Sequence, residues 1–406
     1  MRLQRHHGWK ALFLVCAILL LATSLRPGAT SVGPVMEELR LGLGMSVTQV
    51  GILGALPGLV FALVGLLATS LARRCGLTGS LVIIVAAIAV GLTARAFVGH
   101  AAVFFLLTII AFAGMGMGNV LVPPFIRQNF PFRIAAITTV YTTGLALGST
   151  IPPLVSAPIA AATDWRVAIG LWGLTAAIAL AAWIGVAFMR RGASEGVSIS
   201  RGAGAVPVRA LFRSKKAVAL VVFFGSQSMQ AYVQFAWAPQ MFRDGGLSPA
   251  YAGVLLSVIA GLAIPGGLLM PTIVSRARTL TPYVLVFSGC LVVGYLGILL
   301  APTTMPVLWA VALGISGTCF PTAIALITAR TRDVNVTASL SALVQSLGYC
   351  FAALGPFVVG AVYEAVGGWA GPLWFLIGSA GVMAVSGIIA GGAGYVDDEI
   401  ATNSPG

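Results

Sequence analysis

From Trp9 almost to its end the chain repeats one pattern: an apolar stretch long enough to cross a bilayer, then a short polar turn. A spanning helix takes about 20 largely apolar residues, and hydrophobic residues make up 59% of the 406. That material suffices for about twelve spans. Charged residues amount to 8%, against about a quarter in a soluble protein, which excludes a water-soluble fold. The expected class is an all-α membrane protein.

The pattern places helices at Trp9 to Met36, Val47 to Ala72, Ser80 to Phe97, Ala101 to Ile126, Arg133 to Ala162, Arg166 to Met189, Ala217 to Met241, Pro249 to Val274, Pro282 to Ala301, Met305 to Ala329, Thr337 to Tyr363 and Trp369 to Ala390. Internal Gly and Pro are common in membrane helices, where neighbours re-satisfy freed backbone groups. Basic Met1 to Lys10 and apolar Ala11 to Ala22 have the profile of a secretory signal peptide. The apolar run nevertheless continues through Pro27 and Val35, so it reads as the first span. The polar stretch Arg190 to Lys216 reads as a linker. The expected organisation is a six-helix bundle over 1–192, a linker over 193–214, a second six-helix bundle over 215–392 and a tail over 393–406.

The net charge of +13 could point to a nucleic-acid partner, but the basic residues are spread over short loops. Eighteen fall on the side of the termini: Arg2, Arg5, Lys10, Arg73, Arg74, Arg127, Arg133, seven from Arg190 to Lys216, Arg276, Arg278, Arg330 and Arg332. Four fall opposite: Arg40, Arg95, Arg166 and Arg243. The positive-inside rule then puts both termini in the cytoplasm. The five cysteines read as small core hydrophobes, four of them lying in apolar runs. His6, His7 and His100 lie in polar segments, so no metal-ligand spacing arises and no cofactor is expected.

A shift of 202 positions lays Gly51 on Gly253, Gly65-Leu66-Leu67 on Gly267-Leu268-Leu269 and Arg74 on Arg276, and a shift of 204 lays Gly144 on Gly348 and Pro152 on Pro356. A duplicated six-helix unit leaves such matches. Two parallel-related bundles with a site between them near mid-membrane are the arrangement of major facilitator transporters.

Of the basic residues, only Arg26 resists placement at a membrane surface. It lies 16 residues beyond Lys10, roughly 24 Å of helix. An unpaired guanidinium at that depth costs about 2.5 to 3.5 kcal/mol on insertion scales. It could bond to backbone carbonyls or snorkel to an interface. Yet Glu37, Glu38, Asp164, Asp244 and Glu364 fall at outer helix ends or loops, and Glu195, Asp333, Asp397, Asp398 and Glu399 on the cytoplasmic side, leaving no carboxylate to pair with it. A cavity with fixed positive charge favours an anionic or strongly dipolar ligand. Pro27 and Gly28 predict a kink between Thr23 and Thr30, and Thr23, Arg26 and Thr30 share one helix face that is expected to look inward. In helix seven, Gln227, Gln230, Gln234 and Trp237 form a polar stripe that suits a small polar solute. The stripe could equally join helices by hydrogen bonds. Asn119, Tyr141, Gln345 and Tyr349 are further candidates for binding substrate. No His, Asp, Glu or Lys lies in the membrane interior to serve as acid or base, and no Gly-x-x-x-x-Gly-Lys loop occurs, so an enzyme or a directly ATP-driven pump is not expected.

Leu25-Arg26-Pro27-Gly28-Ala29-Thr30-Ser31-Val32-Gly33-Pro34, Gly118-Asn119-Val120-Leu121-Val122-Pro123, Tyr141-Thr142-Thr143-Gly144-Leu145-Ala146-Leu147-Gly148, Gln227-Ser228 with Ala236-Trp237-Ala238-Pro239, and Phe320-Pro321 followed by Ala338-Ser339-Leu340-Ser341-Ala342 and Gly348-Tyr349 resemble the cyanate/2-nitroimidazole transporter family of the major facilitator superfamily. The resemblance runs in order through both halves, from about Leu25 to Leu376. It implies transport of small anionic or polar compounds. The superfamily motif between helices two and three places an Asp before Arg-x-Gly, whereas this chain reads Arg73-Arg74-Cys75-Gly76. Arg73 and Arg74 are therefore candidates for a cytoplasmic gate satisfied by helix C-termini or lipid phosphates.

The expected function is secondary transport of a small anionic or polar solute, cyanate-like or nitroheterocycle-like, by alternating access in the inner membrane. Lacking a membrane carboxylate or histidine, it would be facilitated transport, or symport in which the substrate brings the proton. Efflux of antimicrobial or toxic compounds is the alternative within transport, and a transporter-like ligand sensor the alternative from another class. The expected partners are a small-molecule substrate and the lipid bilayer, with no nucleic acid, and the expected assembly is a monomer.

Overall fold

The computed structural model describes residues 8–190, 206–277 and 279–402. Among these, every regular element is helical: α1 Gly8–Ser24, α2 Pro27–Thr30, α3 Met36–Gly42, α4 Val47–Ala94, α5 Ala101–Asn129, α6 Ile134–Ala162, α7 Trp165–Met189, α8 Val208–Leu211, α9 Lys215–Asp244, α10 Pro249–Gly261, α11 Ala263–Arg276, α12 Thr281–Leu300, α13 Pro306–Ser316, α14 Cys319–Ala329, α15 Val334–Val366, α16 Ala370–Gly391 and α17 Val396–Thr402. Short 3-10 turns occupy Gly33–Val35 and Arg95–Phe97.

Eleven segments among the described residues are long and apolar enough to cross a membrane. The expected span at Ala217 to Met241 is not among them, although α9 has 30 residues. Its glutamines dilute the apolar character that the other spans keep. Expected spans two and three are both present within α4, as two helices that meet at a kink at Gly76, whose φ of 72° and ψ of 170° are accessible to glycine alone.

Prolines explain the broken spans. A proline removes one helical hydrogen bond and its ring presses on the carbonyl four residues earlier. Pro265 thus accounts for the α10–α11 break at Leu262, Pro321 for the α13–α14 break at Gly317 and Thr318, and Pro27 for the break at Leu25 and Arg26. Hydroxyls add bonds to carbonyls beside the breaks: Thr318 donates to Ile315 at 2.7 Å, Thr322 to Thr318 at 2.7 Å, and Ser24 to Leu20 at 2.9 Å.

Contacts divide the chain into Met1–Met45 with Leu63–Ile199, and Ser46–Ala62 with Ser200–Gly406. In the first unit α1 packs on α6 and α7, and Trp183 Nε1 donates to the Ala17 carbonyl at 3.0 Å, so α1 is a working member of the core. In the second unit α9 is the hub, packed on α10, α14, α15 and α16. The grouping of Ser46–Ala62 with the second unit differs from the expected bundle 1–192, and glycine is the reason. Gly51, Gly54 and Gly58 present bare backbone to α15: a Cβ at Gly51 would lie 2.8 Å from the Pro356 carbonyl oxygen, and one at Gly58 2.9 Å from that of Tyr349.

Of the expected linker 193–214, residues up to 205 lie outside the described residues, as do Arg2, Arg5, His6, His7, Arg191, Glu195, Arg201 and Arg278. The expected tail carries α17, which packs on α8 and α9. Its Glu399 accepts from Ser214 Oγ at 2.7 Å and Lys216 N at 3.1 Å, reinforcing the N-terminus of α9. The reading of the cysteines as core residues holds for Cys319; Cys16, Cys75 and Cys350 are exposed and Cys290 is half-buried. On the outer face of a membrane helix lipid replaces the core, so an apolar side chain there has no need of protein contacts.

Candidate functional site

The first unit holds the broken end of α1. Beyond Ser24 the chain bends, Arg26 adopts φ −122° and ψ −33°, and its carbonyl accepts from Ala29 N at 3.1 Å and Thr30 N at 3.2 Å. Thr30 is buried and its hydroxyl lies 3.2 Å from the Arg26 carbonyl and 3.1 Å from that of Gly148 on α6. The kink expected between Thr23 and Thr30 is therefore present, but Thr23 turns its hydroxyl back to Leu20 at 2.9 Å. The Arg26 side chain is half-buried. Among the described residues no hydrogen bond or ion pair engages its guanidinium.

The acids are occupied elsewhere. Glu37 pairs with Arg40 at 2.6 Å, Asp164 caps α7 through Arg166 N at 2.7 Å, Asp244 accepts from Trp369 Nε1 at 2.8 Å, and Glu364 accepts from Thr48 N at 3.0 Å. Asn119 and Tyr141 meet across α5 and α6, the phenol donating to Asn119 Oδ1 at 3.2 Å.

One placement corrects the sequence reading. Arg95 was expected at the surface opposite the termini, yet its residue exposure is 0%. It follows the last residue of α4, and its Nη1 donates to the Gly28 carbonyl at 3.1 Å, while its guanidinium carbon stands 5.6 Å from the centre of the Phe104 ring. Counting residues from the span end put it near the headgroups; close packing of α4 on α5 and α7 through Gly91 and Gly173 covers it instead.

In the second unit the glutamine stripe of α9 is turned into the bundle. Gln230 Nε2 donates to the Leu376 carbonyl at 3.0 Å and to Ser379 Oγ at 2.6 Å, and its Oε1 accepts from Tyr295 OH at 2.6 Å. Gln234 Nε2 lies 3.5 Å from the same phenol, Gln227 Nε2 donates to Ser228 Oγ at 2.5 Å, and Trp237 Nε1 donates to the Pro356 carbonyl at 3.1 Å. All four are buried. Tyr295 and Ser379, which the sequence reading did not single out, are the partners that join α9 to α12 and α16. On α15, Gln345 donates to Ser341 Oγ at 2.9 Å, one turn back on its own helix. Tyr349, half-buried, meets Phe224 edge-on at 5.1 Å and lies 6.3 Å from the ring of Tyr232. Arg73 and Arg74 are exposed just before the Gly76 turn.

A helical membrane chain with a cationic, proline-broken first span is matched by what it resembles. The model of the Major Facilitator Superfamily matches residues 26–353. The chain is 31% identical to an uncharacterized transporter, YycB, of Bacillus subtilis (strain 168) over 95% of both chains. It is 28% identical to the 2-nitroimidazole transporter of Escherichia coli (strain K12), covering 95% of this chain and 96% of that one. It is also 28% identical to the cyanate transport protein CynX of the same organism, covering 88% and 91%. The crystal structure of the nucleoside transporter NupG (D323A mutant) superposes with a TM-score of 0.76 at 15% identity, covering 92% of this chain and 98% of that one. Fold and relatives agree: the chain belongs to the major facilitator superfamily, with a cyanate and a 2-nitroimidazole transporter among the proteins it is similar to.

Proposed function

We propose that this multi-pass membrane protein is a secondary transporter of a small anionic or compact polar solute, cyanate-like or nitroheterocycle-like, working by alternating access. The observation that carries the reading is the Arg26 guanidinium, half-buried at a proline break and engaged by no carboxylate among the described residues. A guanidinium without an acidic partner at membrane depth is unfavourable, and an anionic solute relieves it on binding. Asn119 supplies a polar group in the same unit, and Gln345 and Tyr349 supply polar and aromatic surface in the other, while the buried Thr30, Tyr141 and Trp237 hold the helices behind them through Gly148, Asn119 and Pro356. Gln230 and Gln234 act on the solute by fixing α9, since their amides bond to α12 and α16, while Gln227, whose amide bonds only Ser228 beside it, contacts the solute. Arg73 and Arg74 bind lipid phosphates at the cytoplasmic surface. The protein sits in the inner membrane as a monomer with both termini cytoplasmic. It moves its solute by facilitated transport, or with a proton that the solute itself carries.

The experiment is uptake of labelled cyanate and of 2-nitroimidazole by proteoliposomes bearing wild type, Arg26→Ala or Arg26→Lys. Alanine is expected to lower uptake at least tenfold and lysine to restore part of it, because a charge remains but the planar fork is lost. Undiminished uptake by the alanine variant removes Arg26 from the mechanism.

A further inference from the structure

Arg95 is a second guanidinium inside the same unit, and the transport reading makes no use of it. Its surroundings are dipoles and a ring: the carbonyl end of α4, which attracts a cation, the face of Phe104, and the carbonyl of Gly28. Its Nε and Nη2 are buried with no hydrogen-bond partner. Leaving two charged donors unmet is expensive, so the one contact it does make calls for a reason.

That contact falls at the most consequential point of the first span. The short helix α2 closes with Ser31 N bonded to the Pro27 carbonyl at 3.0 Å, so Gly28 lies past the last helical acceptor. Arg95 Nη1 takes this released carbonyl, two residues after Arg26. Gly28 has little freedom to shift on its other side, where a Cβ would come 2.6 Å from Met115 Cε and 3.1 Å from Phe112 Cε1.

We infer that Arg95 is a positioning residue: its hydrogen bond to the Gly28 carbonyl holds the broken segment of the first span in the orientation that presents Arg26 to an anion. The role deepens the proposed transport function and rests on it. It adds no contact to the solute, and it explains why a buried cation is kept where an apolar side chain would pack at lower cost. Lysine in its place is shorter by one bond and brings a point charge without the planar fork; glutamine, shorter by two bonds, does not reach.

The test compares full-length wild type with Arg95→Lys, Arg95→Gln and Arg95→Met by hydrogen–deuterium exchange in micelles, thermal unfolding, and cyanate uptake kinetics in proteoliposomes. For Arg95→Met the amides of residues 29–35 are expected to exchange about tenfold faster than wild type while those of α12 and α16 do not change. KM for cyanate rises about tenfold with kcat within about twofold, the fold-change a lost charge-assisted hydrogen bond produces. Lysine restores both readouts in part. Wild-type exchange at 29–35 together with a raised KM would overturn the inference by making Arg95 a ligand of the anion. Faster exchange throughout the chain with a matching loss of thermal stability would overturn it as well, reducing Arg95 to a structural prop. Should the methionine variant fail to fold, lysine against glutamine gives the same contrast. If wild-type vesicles take up no cyanate, the transport reading for that solute falls and the exchange data still decide the role of Arg95.

Discussion

Replacing Gln230 by methionine separates a helix-joining amide from a substrate-binding one. The side chain is 2% exposed and makes three contacts, with Leu376, Ser379 and Tyr295, each between different helices. Interhelical hydrogen bonds in membranes average about 0.6 kcal/mol, so losing all three costs about 2 kcal/mol. Methionine keeps the volume, and the Tyr295 hydroxyl can turn to Gln234, already 3.5 Å away. The expected net loss is therefore about 1 to 2 kcal/mol. Titration of unfolding with a denaturing detergent in mixed micelles measures it. A cycle with Tyr295→Phe adds a sharper figure, a coupling of about 0.6 kcal/mol between the two positions. Uptake kinetics complete the comparison: KM for cyanate should stay within about threefold of wild type. Unchanged stability with a KM raised tenfold would refute this reasoning and return Gln230 to the solute.

Two further outcomes follow from the packing and the helix ends. Gly148→Val places a Cβ 2.6 Å from the Thr23 carbonyl oxygen, which forces α1 and α6 apart at a cost of about 1 to 3 kcal/mol; Gly267→Ala, which meets nothing within 4 Å, is the control, and unfolding in mixed micelles should separate the two. Glu399→Gln weakens the negative charge at the N-terminus of α9 and should lower the unfolding free energy by about 0.5 to 1 kcal/mol, with faster proteolytic trimming of the α17 end; trimming at the wild-type rate would count against that role.

The span pattern was legible because a bilayer imposes length and apolarity on every helix that crosses it. The break at Pro27 was legible because proline acts on its own helix within one turn. Helix seven shows where legibility stops. Periodicity put Gln227, Gln230 and Gln234 on one face, but a polar face binds a solute and a neighbouring helix equally well. The choice was made by Tyr295, 65 residues from Gln230, and by Ser379, 149 residues away.

Sequence alone therefore settled that this chain crosses the membrane many times, that its first span is broken, and that the guanidinium of Arg26 stands at the break. These are consequences of local covalent geometry and of the solvent around each helix. Tertiary structure decided that Arg95 is buried on the Gly28 carbonyl 67 residues away, that Ser46–Ala62 packs with the second unit, and that Gln230 and Gln234 tie α9 to its neighbours. Each of these depends on which helices become neighbours, and that is governed by bare glycine faces and matching hydrogen-bond partners far apart in the chain, to which hydropathy is blind.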